Sequence, residues 1–149
     1  MFPLLLEAGE RFLGYRGDFY RSDVGSLEAY RAAQSDVLSG KVRVRIPGKR
    51  LGESMWVDAD AHLHQTVTVE GPLVIGCDAV IGRGVILSGS VTIGPGCWVH
   101  PGAILKSTVM LSGSHIGSGA YLQGCILGPS YDVRPGECIR GGALSCTHR

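Results

Sequence analysis

Aliphatic side chains recur at every sixth residue from Val57 onward: Val57, Leu63, Val69, Ile75, Ile81, Leu87, Ile93, Val99, Leu105 and Leu111. A period of six is neither the 3.6 of an amphipathic helix nor the two of a half-buried strand, so each hexad must hold a short strand and a corner. Three residues after each aliphatic stand Asp60, Thr66, Pro72, Asp78, Gly84, Ser90, Gly96, Gly102, Thr108 and Ser114. All are turn-formers or small hydrogen-bonding residues. The fourth residue after is compact or aliphatic in every case except His115.

Three such strands complete a triangular coil, and coils stack at the ~4.8 Å spacing of hydrogen-bonded strands. The inward columns then read Val57–Ile75–Ile93–Leu111, Leu63–Ile81–Val99 and Val69–Leu87–Leu105. A sandwich of hairpins would need turns such as Asn-Gly, and the chain contains no Asn. That same lack leaves Gly, 23 of 149 residues, as the main residue for positive φ. Glycines and prolines every few residues exclude a helix here. The phase slips by one at His115/Ile116, resumes at Leu122, then slips again to Leu127, Val133 and Ile139. The expected fold is therefore mainly β: a parallel β-helix of four to five coils ending near Gly141-Gly142, preceded by a small α/β segment.

The sixth residue of each hexad points outward and stacks on its counterpart one coil away. Val80 lies beside Trp98 and then Ile116 on one face, and Ile86 beside Ile104 on another. Apolar columns of this kind are rarely left bare. Val80, Trp98, Ile86 and Ile104 are thus the expected interface residues, facing another copy or another domain, and a homo-oligomer assembled through the β-helix is the expectation.

Ahead of the repeats, Ser26 suits the N-cap of a helix from Leu27 to Leu38, with Gly40 where the helix should end. Pro3 to Glu10 reads as a short helix with Pro near its start, and Arg11 to Tyr20 as two short strands about Arg16-Gly17. Phe2, Leu4, Leu5, Leu6, Phe12, Leu13, Tyr15, Phe19 and Tyr20 carry more apolar surface than so small a unit can bury. The segment reads as the edge of a larger domain. Lys41 to Ile46 alternates as a half-buried strand, turned by Pro47-Gly48. Lys41, Arg43, Arg45, Lys49 and Arg50 form a basic cluster, either a solvated outer face or a site for phosphate or an acidic partner. The chain divides into 1–40, a linker 41–55, coils over 56–142 and a tail 143–149.

A net charge of +1 argues against nucleic acid or a membrane surface as the main partner. No apolar run approaches the ~20 residues of a membrane span, and Met1 to Leu6, followed at once by Glu7, is too short for a signal peptide. Five cysteines without a C-x-x-C pair suggest reduced thiols in a cytoplasmic protein rather than disulfides or zinc.

Two stretches narrow the reading. Gly14-Tyr15-Arg16, followed by Tyr20-Arg21-Ser22-Asp23-Val24-Gly25-Ser26-Leu27-Glu28-Ala29-Tyr30, resembles the end of the catalytic domain of sugar-phosphate nucleotidyltransferases. There an aromatic segment leads into Asp-x-Gly-Thr/Ser and a helix containing Tyr. Residues 37–47, Val-Leu-Ser-Gly-Lys-Val-Arg-Val-Arg-Ile-Pro, resemble the linker of bacterial mannose-1-phosphate guanylyltransferases, and the hexapeptide array follows in the expected place. The resemblance implies a left-handed coil, against the usual right-handed crossover rule. It implies a reaction in which mannose 1-phosphate attacks the α-phosphate of GTP, releasing pyrophosphate and GDP-mannose. It also implies Mg²⁺ in the parent enzyme, with Asp23 as one ligand by resemblance; none is expected bound to this chain.

Two departures stand out. Arg21 occupies a position where family members usually have Trp, and the chain holds no glycine-rich phosphate-cradling loop between a strand and a helix. The isolated chain is therefore expected to be inactive towards GTP and mannose 1-phosphate, with a nucleotidyltransferase domain outside it as the expected partner. Three rivals share the hexapeptide signature. An acyltransferase would use a histidine base, with His100 the best candidate. A γ-class carbonic anhydrase would need three converging histidines on zinc, which His62, His64, His100 and His115 do not offer in that family's spacing. A stand-alone oligomerisation scaffold would need no catalytic residue.

Overall fold

Inward aliphatics and tight corners close the chain into five turns of parallel β-helix between Met55 and Leu144. The computed structural model describes residues 2–11 and 13–145. Phe12, Cys146 and the rest of the tail to 149 lie outside the described residues. The first sheet stacks Met55–Val57, Leu73–Ile75, Val91–Ile93, Val109–Met110, Ile126–Leu127 and Ala143–Leu144 in parallel. The second stacks Thr68–Glu70, Ile86–Ser88, Ile104–Lys106, Tyr121–Gln123 and Cys138–Arg140. The third stacks His62–Leu63, Val80–Ile81, Trp98–Val99, His115–Ile116 and Asp132–Val133. Lys49–Arg50 pairs antiparallel with Met55–Val57 and covers the open edge of the first sheet, where unpaired backbone would invite another strand.

The core is the three inward columns, and two of them continue as expected: Leu63–Ile81–Val99 and Val69–Leu87–Leu105. The other runs Val57–Ile75–Ile93–Met110, so Met110 and not Leu111 is the fourth member. Met110 is fully buried, whereas Leu111 is 36% exposed. The cause is a shortened coil. Leu105 pairs with Leu87, 18 residues earlier, but Met110 pairs with Ile93, 17 residues earlier. The lost residue therefore falls in the corner Lys106–Val109 and not at His115/Ile116. Ser107 turns that corner at φ 45, and the buried Thr108 donates its hydroxyl to the Lys106 carbonyl at 2.9 Å. The expected slip before Leu127 is present, and a third shortening brings Leu144 level with Leu127.

Among the described residues glycine supplies most of the positive-φ positions, with Asp60, Asp78, Ser107 and Ser130 as the non-glycine exceptions. Asp at such a place is tolerated because its short polar side chain bonds locally.

Of the expected N-terminal elements, the two helices form: α1 (Phe2–Glu7) and α2 (Leu27–Leu38). Ser26 Oγ accepts from Ala29 N at 3.1 Å. At the other end Gly40, at φ 78, and Lys41 donate to the carbonyls of Val37 and Asp36, the double bond of a Schellman cap. The strands expected over Arg11–Tyr20 and Lys41–Ile46 do not form. A strand needs a ladder partner, and the first-sheet edge beside the linker is already taken by Lys49–Arg50. Both segments are instead tethered to Asp36. Tyr20 Oη donates to Asp36 Oδ2 at 3.0 Å and Lys41 Nζ lies 2.6 Å from Asp36 Oδ1, and these bonds, Lys41's first, hold the Asp36 carboxyl below its ordinary value.

The second helix lies across the outer surface of the first sheet. Leu38, buried, flanks Trp56 on the first coil; Gln34 Nε2 reaches Thr92 Oγ1 at 2.5 Å; Ser35 Oγ lies 3.0 Å from Ser90 Oγ; Leu27 and Tyr30 border Ile126 on a later coil. The lengths agree: twelve residues of helix span ~18 Å, and four coil spacings from Trp56 to Ile126 span ~19 Å. Val109 and Ile126, outward on this sheet, are buried there.

The thiols make one consequence testable. Cys97 and Cys125 are fully buried, and burial pushes both above the ordinary 9.0. At pH 8 both should resist a thiol reagent until denaturant is added, while exposed Cys138 reacts; peptide mapping of the labelled sites checks this. A thiol that stays protonated in the fold but ionises when unfolded removes stability as pH rises. The melting temperature should therefore fall as pH climbs past 9.0.

Candidate functional site

The three faces of the β-helix are finished differently. The first is covered by α2. No described element covers the third, and its outward column runs His62, Val80, Trp98, His115, Asp132. Trp98 is 47% exposed, with the rings of His100 and His115 centred 6.2 and 6.4 Å away. Val80 is half-buried beside it. The expected neighbour Ile116 is instead fully buried, because the short coil at Lys106–Val109 turns His115 outward in its place. On the second face Ile86 and Ile104 pair as expected, both half-buried, and the column continues to Tyr121.

His115 Nδ1 lies 2.8 Å from Asp132 Oδ1, one coil further on. With His100 the pair borders an open groove of about 340 Å³ over Gly117, Ser118 and Pro135. A carboxylate that orients an imidazole can make it a general base, yet both side chains are largely solvated here, and such a pair also arises as a surface bond. The histidine singled out in the sequence, His100, thus sits at the rim, and the partnered one is His115. Its partner was legible only once the 17-residue coil length was known. His62 and His64 stand at the other end of the third sheet, and among the described residues no group of three His, Cys, Asp or Glu is placed to hold a metal ion.

Asp23 is exposed in the irregular stretch just before α2. Mg²⁺ is held by one or two carboxylates together with substrate phosphates, so a lone exposed carboxylate supplies one ligand of such a site and no more. Beside it Val24, Leu27, Tyr30, Leu111 and Ile126 line an apolar groove of about 490 Å³. Earlier in the chain Leu4, Leu6, Leu13, Tyr15 and Phe19 are all strongly exposed, with Tyr15 at 91%. No helix among the described residues is long and apolar enough to cross a membrane.

The fold places the chain among the hexapeptide-repeat β-helix proteins. The family described as the GMPPB C-terminal domain matches residues 69–147, more than half of the chain, and the chain belongs to that family. It is a C-terminal domain of the sugar-phosphate nucleotidyltransferases. A UTP–glucose-1-phosphate uridylyltransferase of Synechocystis is 32% identical over 124 residues, covering 82% of this chain and 32% of that protein. A glucose-1-phosphate adenylyltransferase of Acetivibrio thermocellus is 27% identical over 143 residues, covering 94% of this chain and 32% of that protein. The chain thus spans about a third of the length of these curated relatives. Among solved structures, a mutant perosamine N-acetyltransferase of Caulobacter crescentus overlays with a TM-score of 0.38 at 17% identity, over 62% of this chain and 50% of that one.

Proposed function

We propose that this chain is the C-terminal region of a mannose-1-phosphate guanylyltransferase, in which the β-helix makes contacts and the chemistry belongs to a nucleotidyltransferase domain. The observation that carries the reading is the segment Val37 to Pro47, which resembles the guanylyltransferase linker and leads directly into coils of the matched family. The exposed apolar side chains of residues 4–30 give the nucleotidyltransferase domain a surface to cover, since patches of this kind are uncommon on free surfaces. Asp23 is one Mg²⁺ ligand of the complete enzyme in this reading. The bare Val80/Trp98 column is where a second copy docks, with Ile86 and Ile104 a further contact on the second face.

The test is enzymatic. The chain alone should form no GDP-mannose from GTP and mannose 1-phosphate. Joined to its nucleotidyltransferase domain it should do so, with at least a tenfold preference for that pair over ATP or UTP with glucose 1-phosphate. Turnover by the chain alone, or a preference for either glucose pair, would contradict the reading.

A further inference from the structure

The corner between the second and first sheets gathers positive charge that no carboxylate among the described residues pairs with. Lys106 and Arg140 end the strands Ile104–Lys106 and Cys138–Arg140, and Gln123 pairs with both from the coil between them. Their backbones are two strand spacings apart, ~9.6 Å. Each cation leans on the ring of Tyr121, at 5.7 Å from its centre, an attraction that orients it without neutralising it. Arg31 reaches the same place from α2 and donates to the Gly124 carbonyl at 2.5 Å. Gly124, at φ 66, permits that approach, since a Cβ there would collide with the guanidinium. The three cations border a groove of about 600 Å³, together with the hydroxyls of Ser88 and Ser107 and the Gln123 amide.

Among the described residues the ion pairs are Lys41–Asp36 and His115–Asp132, both elsewhere. The carboxylates close to the three along the chain and the ladder are Glu70, two coils from Lys106, Glu28, one turn before Arg31, and Glu137, three residues before Arg140, which accepts from Arg134 N at 2.9 Å; none of them forms an ion pair with the three. Guanidinium and ammonium groups converging with neutral hydroxyl and amide donors are the donor set for phosphate oxygens.

From this arrangement we infer that the groove between α2 and the second-sheet corner is a binding site for a diphosphate group. Two cations held two coils apart with a third at the side match a double anion better than a single phosphate. The diphosphate could be free pyrophosphate or the bridge of a nucleotide sugar; both offer the same oxygens. The site stands on charge and geometry in this chain and does not depend on which nucleotide or sugar the enzyme uses, so its test is separate from the enzymatic one.

Isothermal titration of the whole 149-residue chain with inorganic pyrophosphate, and separately with GDP-mannose, is the experiment. At least one should bind saturably and more weakly as salt is raised. The double substitution Lys106→Gln and Arg140→Gln, at exposed positions, should weaken binding tenfold or more while leaving the melting temperature in place. Each single substitution should give part of that loss, which keeps the test valid if the double variant folds poorly. Arg134→Gln, outside the groove, should change nothing. Tighter binding of pyrophosphate identifies the free anion, and tighter binding of GDP-mannose the nucleotide sugar. No saturable binding of either, or equal affinity in wild type and the Lys106 and Arg140 variants, would overturn the site.

Discussion

Replacing Gly117 by Ala should be among the most damaging single-methyl changes available in this chain, costing about 3 kcal/mol, the upper end of the range for overpacking. Gly117 follows the inward Ile116, and the corner of the next coil, Arg134-Pro135, is stacked directly against it. A Cβ there would stand 2.7 Å from Pro135 Cα and closer still to Pro135 N and Arg134 C. Those are backbone atoms fixed by the ladder, including the Gly117 N to Val133 O bond of 2.9 Å, so they cannot step aside as a flexible side chain would. The comparison is Gly119→Ala, two residues on. There φ is +66 and nothing lies within 4 Å, so the cost is only the left-handed conformation, about 1 kcal/mol. At ~2–4 °C per kcal/mol for a chain of this size, Gly117→Ala should melt roughly 6–12 °C below wild type, well below Gly119→Ala. Equal melting of the two variants would mean the coils are not stacked in this register.

That glycine shows how the periodicity can be read and where it misleads. Gly76 faces Pro95 and Gly82 faces Pro101 in the same way, and each pair stands in the sequence as an inward aliphatic followed by Gly, with Pro two residues after the next aliphatic of the column. The contact was therefore written in the chain, but only a known coil length reveals which Pro meets which Gly. The slip was misplaced for a related reason. Leu111 is aliphatic and keeps the six-residue phase, while Met110, the true core residue, has a flexible unbranched side chain that fills such gaps. Two side chains of similar apolarity sit next to each other, and the choice between them is made by the tight corner at Ser107-Thr108. From that single displaced residue follow the exchange of Ile116 for His115 on the outer face and the His115–Asp132 bond. The helix α2 was legible from its caps, because capping is local. Its seat on the first sheet was not, because that depends on matched lengths along the coil axis and on outward residues, Val109 and Ile126, whose column shifts with the slip. The groove of Arg31, Lys106 and Arg140 was hidden too, since it joins residues 75 and 34 positions apart in the chain.

Val80→Ser with Trp98→Ser should abolish the association between copies proposed above. Trp98 is the large apolar side chain in the middle of an outer face that no described element covers, and Val80 lies beside it in the same ladder. Buried aromatic anchors at interface centres are worth about 2 kcal/mol or more each. A two-fold contact holds the same patch on both partners, so the substitution removes the anchor twice. The loss of about 4 kcal/mol corresponds to a roughly thousandfold weaker association. Both positions are outward, so the coil interior and the melting of the separated subunit should be preserved, which distinguishes lost contact from lost fold.

Sedimentation velocity of the wild-type chain beside this double variant tests most directly whether the β-helix serves as a contact element. The wild type should sediment as a defined multiple of the chain mass, and the variant as a folded monomer. A wild type that sediments as a monomer, or a variant indistinguishable from an oligomeric wild type, would contradict the account.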